Sequence, residues 1–354
     1  MKALILSGGK GTRLRPITHT SAKQLVPVAN KPILFYTIEA VRDAGVTDVG
    51  IIVGETHEEI RKACGDGSQW GVKITYIQQD QPLGLAHAVK TAQDFIGEDS
   101  FVMYLGDNLI RDGITDLVER FNREKPNSQI LLAHVPNPRE FGVAELDGHR
   151  IVRLVEKPKE PKSDLALVGV YMFDKTVFDA VDNIKPSWRG ELEITDAIQY
   201  LVDSGRTVNA HIISGWWKDT GKLEDMLEAN RIVLGDIVSG VDGEVDADSV
   251  LHGQVCIGRG TKVVNSSIRG PVVIGENCEI RDCYIGPFTS INSNCVIRSS
   301  EIEHSIVLED CKILDLNARI EDSLLGKGVQ VCQSDHKPRA YRFMLGDSSY
   351  VSVL

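Results

Sequence analysis

The chain has 354 residues, of which 42% are hydrophobic and 25% are charged, and its formal net charge is -11 at pH 7. This length exceeds the usual size of a single hydrophobic core and predicts two domains, and the acidic balance argues against a nucleic-acid polymer as partner, because phosphate backbones are bound by basic surfaces. No apolar run is long enough to span a membrane, and the first residues resemble a core strand rather than a signal peptide, so we expect a cytoplasmic protein without membrane contact.

The first predicted element is a short strand at residues 2–6, and the glycine-rich segment 7–13 follows it directly. Glycine lets backbone N–H groups come close to a phosphate, so a strand that enters such a loop indicates nucleotide binding. Two familiar patterns fail here. Arg13 stands where a P-loop needs its second glycine, and the dinucleotide pattern that starts at Gly9 ends on Leu14.

Two cations accompany this loop, Arg13 inside it and Lys23 ten residues later. A guanidinium can bridge phosphate oxygens, and an ammonium supplies a point charge. The pair therefore indicates phosphate binding, although the same residue types also occur in a glycine turn with solvated basic side chains.

Helices and strands alternate over the next hundred residues. We predict a helix at 31–44, a strand at 49–53, a helix at 57–63, a strand at 72–77, a helix at 86–95 and a strand at 101–105. Such alternation predicts an α/β, doubly wound, Rossmann-like sheet that binds its ligands beyond the carboxyl ends of the strands.

Asp107 stands directly after the strand at 101–105, between Gly106 and Asn108. A carboxylate at the end of a buried strand is well placed to hold Mg²⁺, which takes one or two carboxylates together with phosphate oxygens. An ordinary Asp-Asn turn is the alternative, because these residue types also favour turns.

The rest of this region mixes helices and strands. We predict helices at 115–124, from 194 onward and at 222–236, strands at 130–135 and 168–173, and a hairpin of 143–146 with 151–155. Pro158 is expected to force Lys157 into an extended conformation. By residue type alone, Glu156 and Lys157 form a solvated charge cluster, and the loop 79–84 is an ordinary polar loop. The Trp pair at 216–217 fits core packing as well as an aromatic surface that stacks on a sugar ring.

The last third of the chain carries aliphatic residues that recur every 17 residues, with steps of 6, 5 and 6 inside a period. This spacing predicts a left-handed parallel β-helix at 246–335, in which each face of a three-sided coil contributes one inward aliphatic residue. The three series are Ile257, Ile274, Ile291 and Leu308; Val263, Ile280, Ile297 and Leu314; and Leu251, Ile268, Ile285 and Ile302.

Of the seven cysteines, Cys64 alone precedes residue 250, and no Cys-x-x-Cys motif occurs, so we expect reduced, buried thiols. Cys278 and Cys295 share the 17-residue period and are expected to stack on adjacent coils, where a disulfide stays open as a minor alternative. The tail at 336–354 is strand-prone after Tyr341, and we expect it to cover an open coil end or a neighbouring subunit.

Several ordered motifs in the first 235 residues resemble those of the sugar-nucleotidyltransferase family, and Lys23-Gln24-Leu25 is similar to its thymidylyl branch. They are GGxGTRLxPxT at 8–18, SAKQLVPVANKP at 21–32, GDGS at 65–68 with Trp70-Gly71, Gly84-Leu85-Ala86, LGDN at 105–108, Glu156-Lys157-Pro158, RGELEITD at 189–196 and WKDTG at 217–221. The short members of the branch end near residue 235, so this chain resembles the long form, with a nucleotidyltransferase domain at 1–236.

The resemblance implies a set of binding residues. Those expected to hold the nucleotide are Leu6, Gly8, Gly9, Gly11, Thr12, Arg13, Lys23, Gln24, Gln79, Gly84 and Asp107. Those expected to hold the sugar phosphate are Asn108, Gly142, Glu156, Lys157, Val168, Tyr171, Arg189 and Glu193. Asp107 and Asp219 are the expected ligands of a Mg²⁺ cofactor, and Arg13, Lys23 and Asp107 are the expected catalytic residues.

The implied reaction transfers a thymidylyl group from dTTP to α-D-glucose 1-phosphate, giving dTDP-glucose and pyrophosphate for deoxysugar (rhamnose-type) biosynthesis. The expected protein is a homo-oligomer, assembled through the β-helix. Because the phosphate nucleophile is already largely dianionic at neutral pH, no catalytic base is expected.

Three alternatives stay open. The enzyme could use UTP, it could be bifunctional and also transfer acetyl groups with His252, His304 or His336 as base, or it could be a non-catalytic sugar-nucleotide-binding subunit. Phe141 departs from the pattern of the short enzymes, which carry Tyr before the residue that matches Gly142.

Overall fold

The computed structural model describes residues 1–9, 11–19, 21–148, 150–334 and 341–353. These residues form two compact units: the first comprises Met1–Lys10, Ser21–Leu25 and Ile33–Asp219, and the second comprises Gly11–Thr20, Val26–Pro32 and Thr220–Leu354. The boundaries expected from the sequence, 1–236, 246–335 and 336–354, stay a prediction.

The strands before residue 240 are β1 (Lys2–Ser7), β2 (Pro27–Val28), β3 (Lys31–Pro32), β4 (Asp48–Val53), β5 (Lys73–Gln78), β6 (Phe101–Leu105), β7 (Asn108–Ile110), β8 (Ser128–His134), β9 (Gly142–Asp147), β10 (Arg150–Glu156), β11 (Leu165–Phe173), β12 (Val208–Ile212) and β13 (Trp217–Asp219). The helices are α1 (Ile33–Asp43), α2 (His57–Cys64), α3 (Leu85–Thr91), α4 (Gln93–Ile96), α5 (Thr115–Glu124), α6 (Thr176–Asn183), α7 (Ile194–Asp203) and α8 (Leu223–Leu234).

The first unit is built on a mixed sheet in the order β10-β9-β11-β6-β1-β4-β5, with β8 beside β11 and β12 beside β8. Strands β6, β1, β4 and β5 run parallel, whereas β11 runs antiparallel to β6 and β8. The predicted α/β doubly wound fold is confirmed. The single helix predicted at 86–95 is two helices separated at Ala92, and α6, β12 and the short pair β7–β13 were not predicted.

Both faces of this sheet are buried, and β1 shows how. Leu4 and Leu6 pack into the hydrophobic cluster on one face, and Ala3 and Ile5 pack into the cluster on the other. Successive strand residues point to opposite faces, so a strand covered on both sides needs a continuous apolar run. The β1 residues therefore form a strand whose carboxyl end opens into the glycine loop.

The second unit contains the β-helix. Its strands are β14 (Gly240–Val241), β15 (Glu244–Val245), β16 (Val250–His252), β17 (Val255–Ile257), β18 (Lys262–Val264), β19 (Ser267–Arg269), β20 (Val272–Ile274), β21 (Glu279–Arg281), β22 (Tyr284–Ile285), β23 (Thr289–Ile291), β24 (Val296–Arg298), β25 (Glu301–Ile302), β26 (Ile306–Val307), β27 (Lys312–Leu314), β28 (Leu324–Leu325) and β29 (Gln330–Cys332). They form three parallel sheets, each taking every third strand until β25. These short stacked parallel strands agree with the predicted left-handed β-helix.

The 17-residue period holds from Ile257 to Ile291 and then shortens. Val307, not Leu308, pairs with Ile291, and Ile313, not Leu314, pairs with Ile297. The prediction for Leu308 and Leu314 was therefore wrong by one residue. At each position two aliphatic residues are adjacent, Val307-Leu308 and Ile313-Leu314. The coil can therefore be one residue shorter and still place a fully buried aliphatic side chain, Val307 or Ile313, inside.

All seven cysteines are free thiols, and five of them are buried, whereas Cys256 is half-buried and Cys332 is exposed. Cys278 and Cys295 stack as predicted, and Cys311 continues the column. Each thiol donates to a carbonyl of the following coil: Cys278 Sγ to Asn292 O at 3.1 Å and Cys295 Sγ to Leu308 O at 3.2 Å. The disulfide left open as a minor alternative is not formed.

The segment Val26–Pro32 belongs to the second unit because buried amides hold it there. Asn230 on α8, fully buried, accepts from Ala29 N at 2.8 Å and donates to Phe288 O at 3.0 Å. Asn30 Nδ2 donates to Ile291 O at 2.6 Å. Among the described residues, no helix is long and apolar enough to cross a membrane.

Candidate active site

The carboxyl end of β1 forms the first part of the candidate site. A Cβ atom on Gly8 would lie 3.4 Å from Gln79 Oε1, and one on Gly9 would lie 3.9 Å from Gln24 Nε2. Leu6 is buried, and its carbonyl accepts from Gly106 N at 2.9 Å, beside Asp107. The loop therefore lies against the two glutamines predicted to contact the nucleotide.

Gln79 and Gly84 enclose the next part. Gln79 Nε2 lies 3.4 Å from the Gly84 carbonyl and 3.0 Å from His87 Nδ1. Gly84 has a φ of 107°, and a Cβ there would lie 2.4 Å from Leu192 O, so no other residue fits without rearrangement. In the described part of the chain, Gln24 Oε1 is buried and meets no hydrogen-bond donor.

Gly11, Thr12 and Arg13 are described with the second unit. Gly11 has a φ of 59° and precedes a 3₁₀ turn over Thr12–Leu14, and its carbonyl accepts from Thr18 Oγ1 at 2.7 Å. Arg13 is exposed on this turn. The turn therefore presents a guanidinium to solvent on a backbone that a hydroxyl holds in place.

Lys23, Asp107 and Asp219 converge in the first unit. Strand β7 begins right after Asp107 and pairs with β13, which sets Asn108 opposite Asp219. Lys23 Nζ lies 2.5 Å from Asp107 Oδ2 and 3.8 Å from Asp219 Oδ1. Lys23, Asp107 and Asp219 are separated by 84 and 112 positions along the chain, and they meet at one ammonium.

The charges of this group are partly shielded from water. The Lys23 side chain is 8% exposed, and those of Asp107 and Asp219 are 23% and 29% exposed. Burial acts to raise the pKa of Asp107, but the charge of Lys23 and the hydrogen bonds from Lys23 and Asn108 outweigh it and hold that pKa below its ordinary value. Asp107 is therefore a carboxylate at neutral pH.

Asn108 fixes the orientation of Asp107. Its Nδ2 donates to Asp107 Oδ1 at 2.8 Å, and its Oδ1 accepts from Trp217 Nε1 at 2.6 Å. Gly169 leaves the necessary room, since a Cβ there would lie 2.7 Å from Asn108 Oδ1. The ring of Phe141 packs edge-on against that of Trp217, with 5.4 Å between the ring centroids. The expected role of Asn108 at the sugar phosphate stays a prediction, and in this structure its buried amide hydrogen-bonds to Asp107 and Trp217.

A second polar cluster surrounds Glu156, at the end of β10. Thr195 Oγ1 donates to Glu156 Oε2 at 2.7 Å, and Arg189 NH1 lies 3.4 Å from both Glu156 Oε1 and Glu193 Oε1. Ser187 Oγ also donates to Glu193 Oε1, at 2.8 Å. Three of the predicted sugar-phosphate residues therefore share one network, and Thr195 and Ser187 join it although the sequence analysis did not single them out.

Gly142 and Lys157 border this cluster. A Cβ on Gly142 would lie 2.8 Å from Thr195 Oγ1. Lys157 Nζ lies 3.9 Å from Glu156 Oε1. The prediction of an extended Lys157 was wrong: its φ is 43°, because β10 ends at Glu156 and Lys157 N turns to donate to Phe141 O at 3.0 Å.

The remaining predicted residues, Val168 and Tyr171, lie on β11 and are buried in opposite hydrophobic clusters. Burial, and then the charge of Glu156, raises the pKa of the Tyr171 hydroxyl. Val168 is fully buried, so its side chain contributes packing and only its backbone could face a ligand.

Glu156 is itself perturbed. Burial raises its pKa above the ordinary value, and the charge of Glu193 adds to that shift. The hydrogen bond from Thr195 and the charges of Lys157 and Arg189 oppose the shift only in part. The Glu156 carboxyl therefore takes up a proton at a higher pH than an ordinary glutamate does, and it then accepts fewer hydrogen bonds.

The donor set at Lys23 fits a hard divalent cation. Asp107 and Asp219 offer carboxylate oxygens at one position, and Mg²⁺ binds in proteins through one or two carboxylates, with water and substrate phosphate completing its shell. No group of three or more His, Cys, Asp or Glu side chains that could hold a metal by itself is found among the described residues. The two aspartates thus suit an ion that arrives with phosphate.

The chain is similar to known proteins. Residues 2–235 match the sequence model of the family described as "Nucleotidyl transferase". The chain is 58% identical over 355 residues to a glucose-1-phosphate thymidylyltransferase of Streptomyces antibioticus, covering 100% of this chain and 99% of that one. It is 42% identical over 332 residues to a protein of Methanococcus maripaludis named "Bifunctional protein GlmU", covering 92% of this chain and 77% of the relative.

A solved structure is also similar. The crystal structure of a glucose-1-phosphate thymidylyltransferase from Bacillus anthracis, in complex with a sucrose, superposes with a TM-score of 0.63 at 39% identity. It covers 68% of this chain and 97% of that one. The relative from Streptomyces spans the whole length, so its similarity includes the β-helix.

Proposed function

This chain belongs to the nucleotidyl transferase family, and from that premise we propose that it transfers a thymidylyl group from dTTP to α-D-glucose 1-phosphate, releasing pyrophosphate and forming dTDP-glucose. The observation that carries the proposal is the ammonium of Lys23 held between Asp107 and Asp219 at the carboxyl end of the central strands. Charge concentrated at this edge of a parallel sheet is where α/β proteins bind nucleotides.

The glycine loop and the two glutamines bind the nucleotide in this proposal. Gly8 and Gly9 leave room for a phosphate beside Gln79 and Gln24. Gln24 Oε1 is an acceptor that no donor among the described residues meets, and the imide N–H of thymine is such a donor. Gly84 is assigned as a backbone contact of the base, and its lack of a side chain makes room for the Leu192 backbone beside it.

The cluster around Glu156 binds the sugar. Carboxylates of Glu156 and Glu193 accept hydrogen bonds from sugar hydroxyls, and Arg189 holds the two acids in position while it supplies charge. Lys157 lies at the open end of the cluster, with its side chain 38% exposed, and we assign it to the sugar phosphate.

The chemical step needs positioning and charge rather than a base. The phosphate group of glucose 1-phosphate is mostly dianionic at neutral pH. One of its oxygens attacks the α-phosphorus of dTTP, and the bond between that phosphorus and the bridging oxygen of the leaving pyrophosphate breaks. Lys23 and Arg13 are the cations we assign to the negative charge that builds up on the leaving group. Fixed cations also reduce the repulsion between the two anionic substrates.

Magnesium is part of the same proposal. Asp107 and Asp219 would hold the ion, and when bound it neutralises phosphate charge and polarises phosphoryl oxygens. Asn108 keeps Asp107 turned toward that position through its amide. Lys23 stabilises both carboxylates in the ligand-free protein, which lowers the cost of keeping two acids side by side.

The finer biological assignments are proposals too. We propose a role in deoxysugar (rhamnose-type) biosynthesis, in the cytoplasm where nucleoside triphosphates are made, and a homo-oligomer assembled through the β-helix. The retained Lys23, Asp107 and Asp219 favour catalysis over a non-catalytic binding subunit, because such a subunit would have no need to keep this charge arrangement.

Pyrophosphate release tests the proposal directly. With glucose 1-phosphate and Mg²⁺, we expect turnover with dTTP, and kcat/KM for UTP lower by at least about 10-fold, since UTP lacks the methyl group of thymine and carries a 2′-hydroxyl. A higher kcat/KM with UTP than with dTTP would assign a uridylyltransferase, and equal values would contradict the thymidylyl preference. No release with any of dTTP, UTP, ATP or GTP would assign a binding subunit.

The same preparation tests for acetyl transfer. With acetyl-CoA and glucosamine 1-phosphate, we expect no thiol release above that of a sample without protein. Of the three candidate bases, His336 lies outside the described residues, His252 is exposed, and His304 Nδ1 hydrogen-bonds to Asp322. Release that is lost in His304→Gln would establish the bifunctional alternative.

A further inference from the structure

The C-terminal segment, residues 341–353, exposes an unusual number of large apolar side chains. The structure describes no helix or strand in it. The exposed fractions are 68% for Tyr341, 57% for Phe343, 100% for Met344, 56% for Leu345, 88% for Tyr350, 46% for Val351 and 54% for Val353. A contiguous exposed apolar run of this density marks a protein interaction site.

The segment has the pattern of a β-hairpin. Two β-prone runs, 341–345 and 350–353, flank Gly346-Asp347-Ser348-Ser349, where Ser349 N donates to Gly346 O at 3.4 Å and Ser348 has a φ of 63°. The rings of Tyr341 and Phe343 lie parallel, 5.8 Å apart with an interplanar angle of 9°. Residues two apart share one face of a strand, so the segment already places its apolar side chains as a strand would.

The last coil of the β-helix offers the matching surface. Strands β28 and β29 are the final members of their sheets and have a partner on one side only. The inward residues of this coil, Ile320, Leu325 and Val331, are half-buried, whereas the corresponding residues of the preceding coil, Ile302, Val307 and Ile313, are fully buried. The coil therefore ends in strand edges and aliphatic side chains that nothing covers completely.

We propose that the C-terminal segment of one chain covers the last coil of a second copy, and that the second copy returns the same contact. In a single chain the coil end is only partly covered, and Phe343, Met344, Leu345 and Tyr350 are more than half exposed, so a second copy offers each surface the apolar cover that its own chain leaves incomplete. Eight residues separate Cys332 from Tyr341, and a connection of that length reaches at most about 30 Å, enough to pass to a molecule seated end to end.

A reciprocal exchange has the symmetry that most homodimers adopt. In a twofold dimer the same two surfaces meet twice, so the apolar segment and the coil end of both chains are covered at once. One run of the segment would extend a parallel sheet past β28 or β29 and satisfy the outer backbone groups of that strand. The inference rests on the proposed homo-oligomer, whose contact it names, and it holds whether or not the proposed reaction is correct.

Mass measurement tests the exchange. By size-exclusion chromatography with light scattering, we expect the wild type to be at least a dimer at micromolar concentration and F343S/L345S/V351S to have half that mass or less. The matched control V152S/I212S/L223S changes three side chains that are 47%, 43% and 38% exposed in other parts of the chain and should leave the mass unchanged. A monomeric wild type, or a triple tail variant with unchanged mass, would overturn the proposal.

Cross-linking then shows which surfaces meet. Cys332 lies on β29 and is exposed, so it reports on the coil end. In L345C under mild oxidation we expect a covalent dimer on a non-reducing gel, and we expect far less of it in L345C/C332S or in the wild type. A disulfide closed within one chain, seen as a monomer of altered mobility, would show that the segment covers its own coil and would overturn the exchange.

Discussion

The carboxyl edge of the central sheet and the wall of the β-helix use charged side chains in opposite ways. At the sheet edge, Lys23, Asp107 and Asp219 come from three distant parts of the chain and meet once. On the β-helix, ion pairs join adjacent coils along the stack, as in Arg298 with Glu279 and Lys327 with Glu309. Convergence from distant segments marks a site, whereas repetition at the coil spacing marks architecture.

The largest effect is expected from a substitution at the site where distant segments converge. Asp107→Asn should lower kcat by about 10²- to 10³-fold, because removing one preorganised charge from a phosphoryl-transfer site has costs of that order. Pyrophosphate release measures the loss. Asp112→Asn, at a carboxylate that is 69% exposed, is the matched control and should keep normal turnover, and circular dichroism should show both variants folded.

The next largest effect is expected from a substitution in the core of the β-helix. Ile297→Ala removes a fully buried side chain from the β-helix core, and we expect a loss of about 2 to 5 kcal/mol in the free energy of unfolding of that region. Ile297→Val should cost about 0.5 to 1.5 kcal/mol. Urea denaturation followed by circular dichroism separates the two. Equal stability of both variants would show that this position is not close-packed.

A smaller effect is expected for the group that orients Asp107. Trp217→Phe keeps an aromatic ring against Phe141 but removes the N–H that donates to Asn108. Leaving that buried amide oxygen without its donor costs about 1 to 3 kcal/mol, and we expect kcat to fall by about tenfold. Trp216→Phe is the control for general loss of an indole, and an equal fall there would remove Trp217 from the positioning role.

The smallest effect concerns pH. The pKa of Glu156 is raised by burial, so on acidification this carboxyl takes up a proton at a higher pH than an ordinary glutamate and stops accepting from sugar hydroxyls. The KM for glucose 1-phosphate should therefore rise as pH falls, while the KM for dTTP changes less. In Glu156→Gln we expect a KM that is higher throughout and a weaker pH dependence, leaving only the titration of the sugar phosphate itself.

The repetitive region was the easier one to predict as a structure. A period of 17 residues repeats the same inward contact, so the series at Ile257 and Val263 could be extended coil by coil. It failed at Leu308 and Leu314 because the coil shortens by one residue where two aliphatic residues adjoin. Periodicity predicts that an aliphatic residue points inward near each position, and the packing of the coil decides which of two adjacent aliphatic residues it is.

The convergent region was predictable only in part. Asp107 could be placed from local pattern, as a carboxylate following a buried strand, whereas pairing it with Asp219 required the family resemblance. The roles of Trp217, Thr195 and Gly169 depend on which strands lie side by side, and β7 with β13 is a pairing of residues about 110 positions apart. Such contacts leave no local signal in the sequence. Lys157 was misjudged for the same reason, since the carbonyl of Phe141 sets its backbone.

A double-mutant cycle on kcat across Asp107 and Asp219 tests the central claim most directly. If the two carboxylates act as one unit beside Lys23, Asp107→Asn and Asp219→Asn should each lower kcat by about 10²-fold or more, and the double variant should lose little beyond the larger single loss. Losses that add fully, or near-normal turnover in Asp219→Asn, would contradict the account.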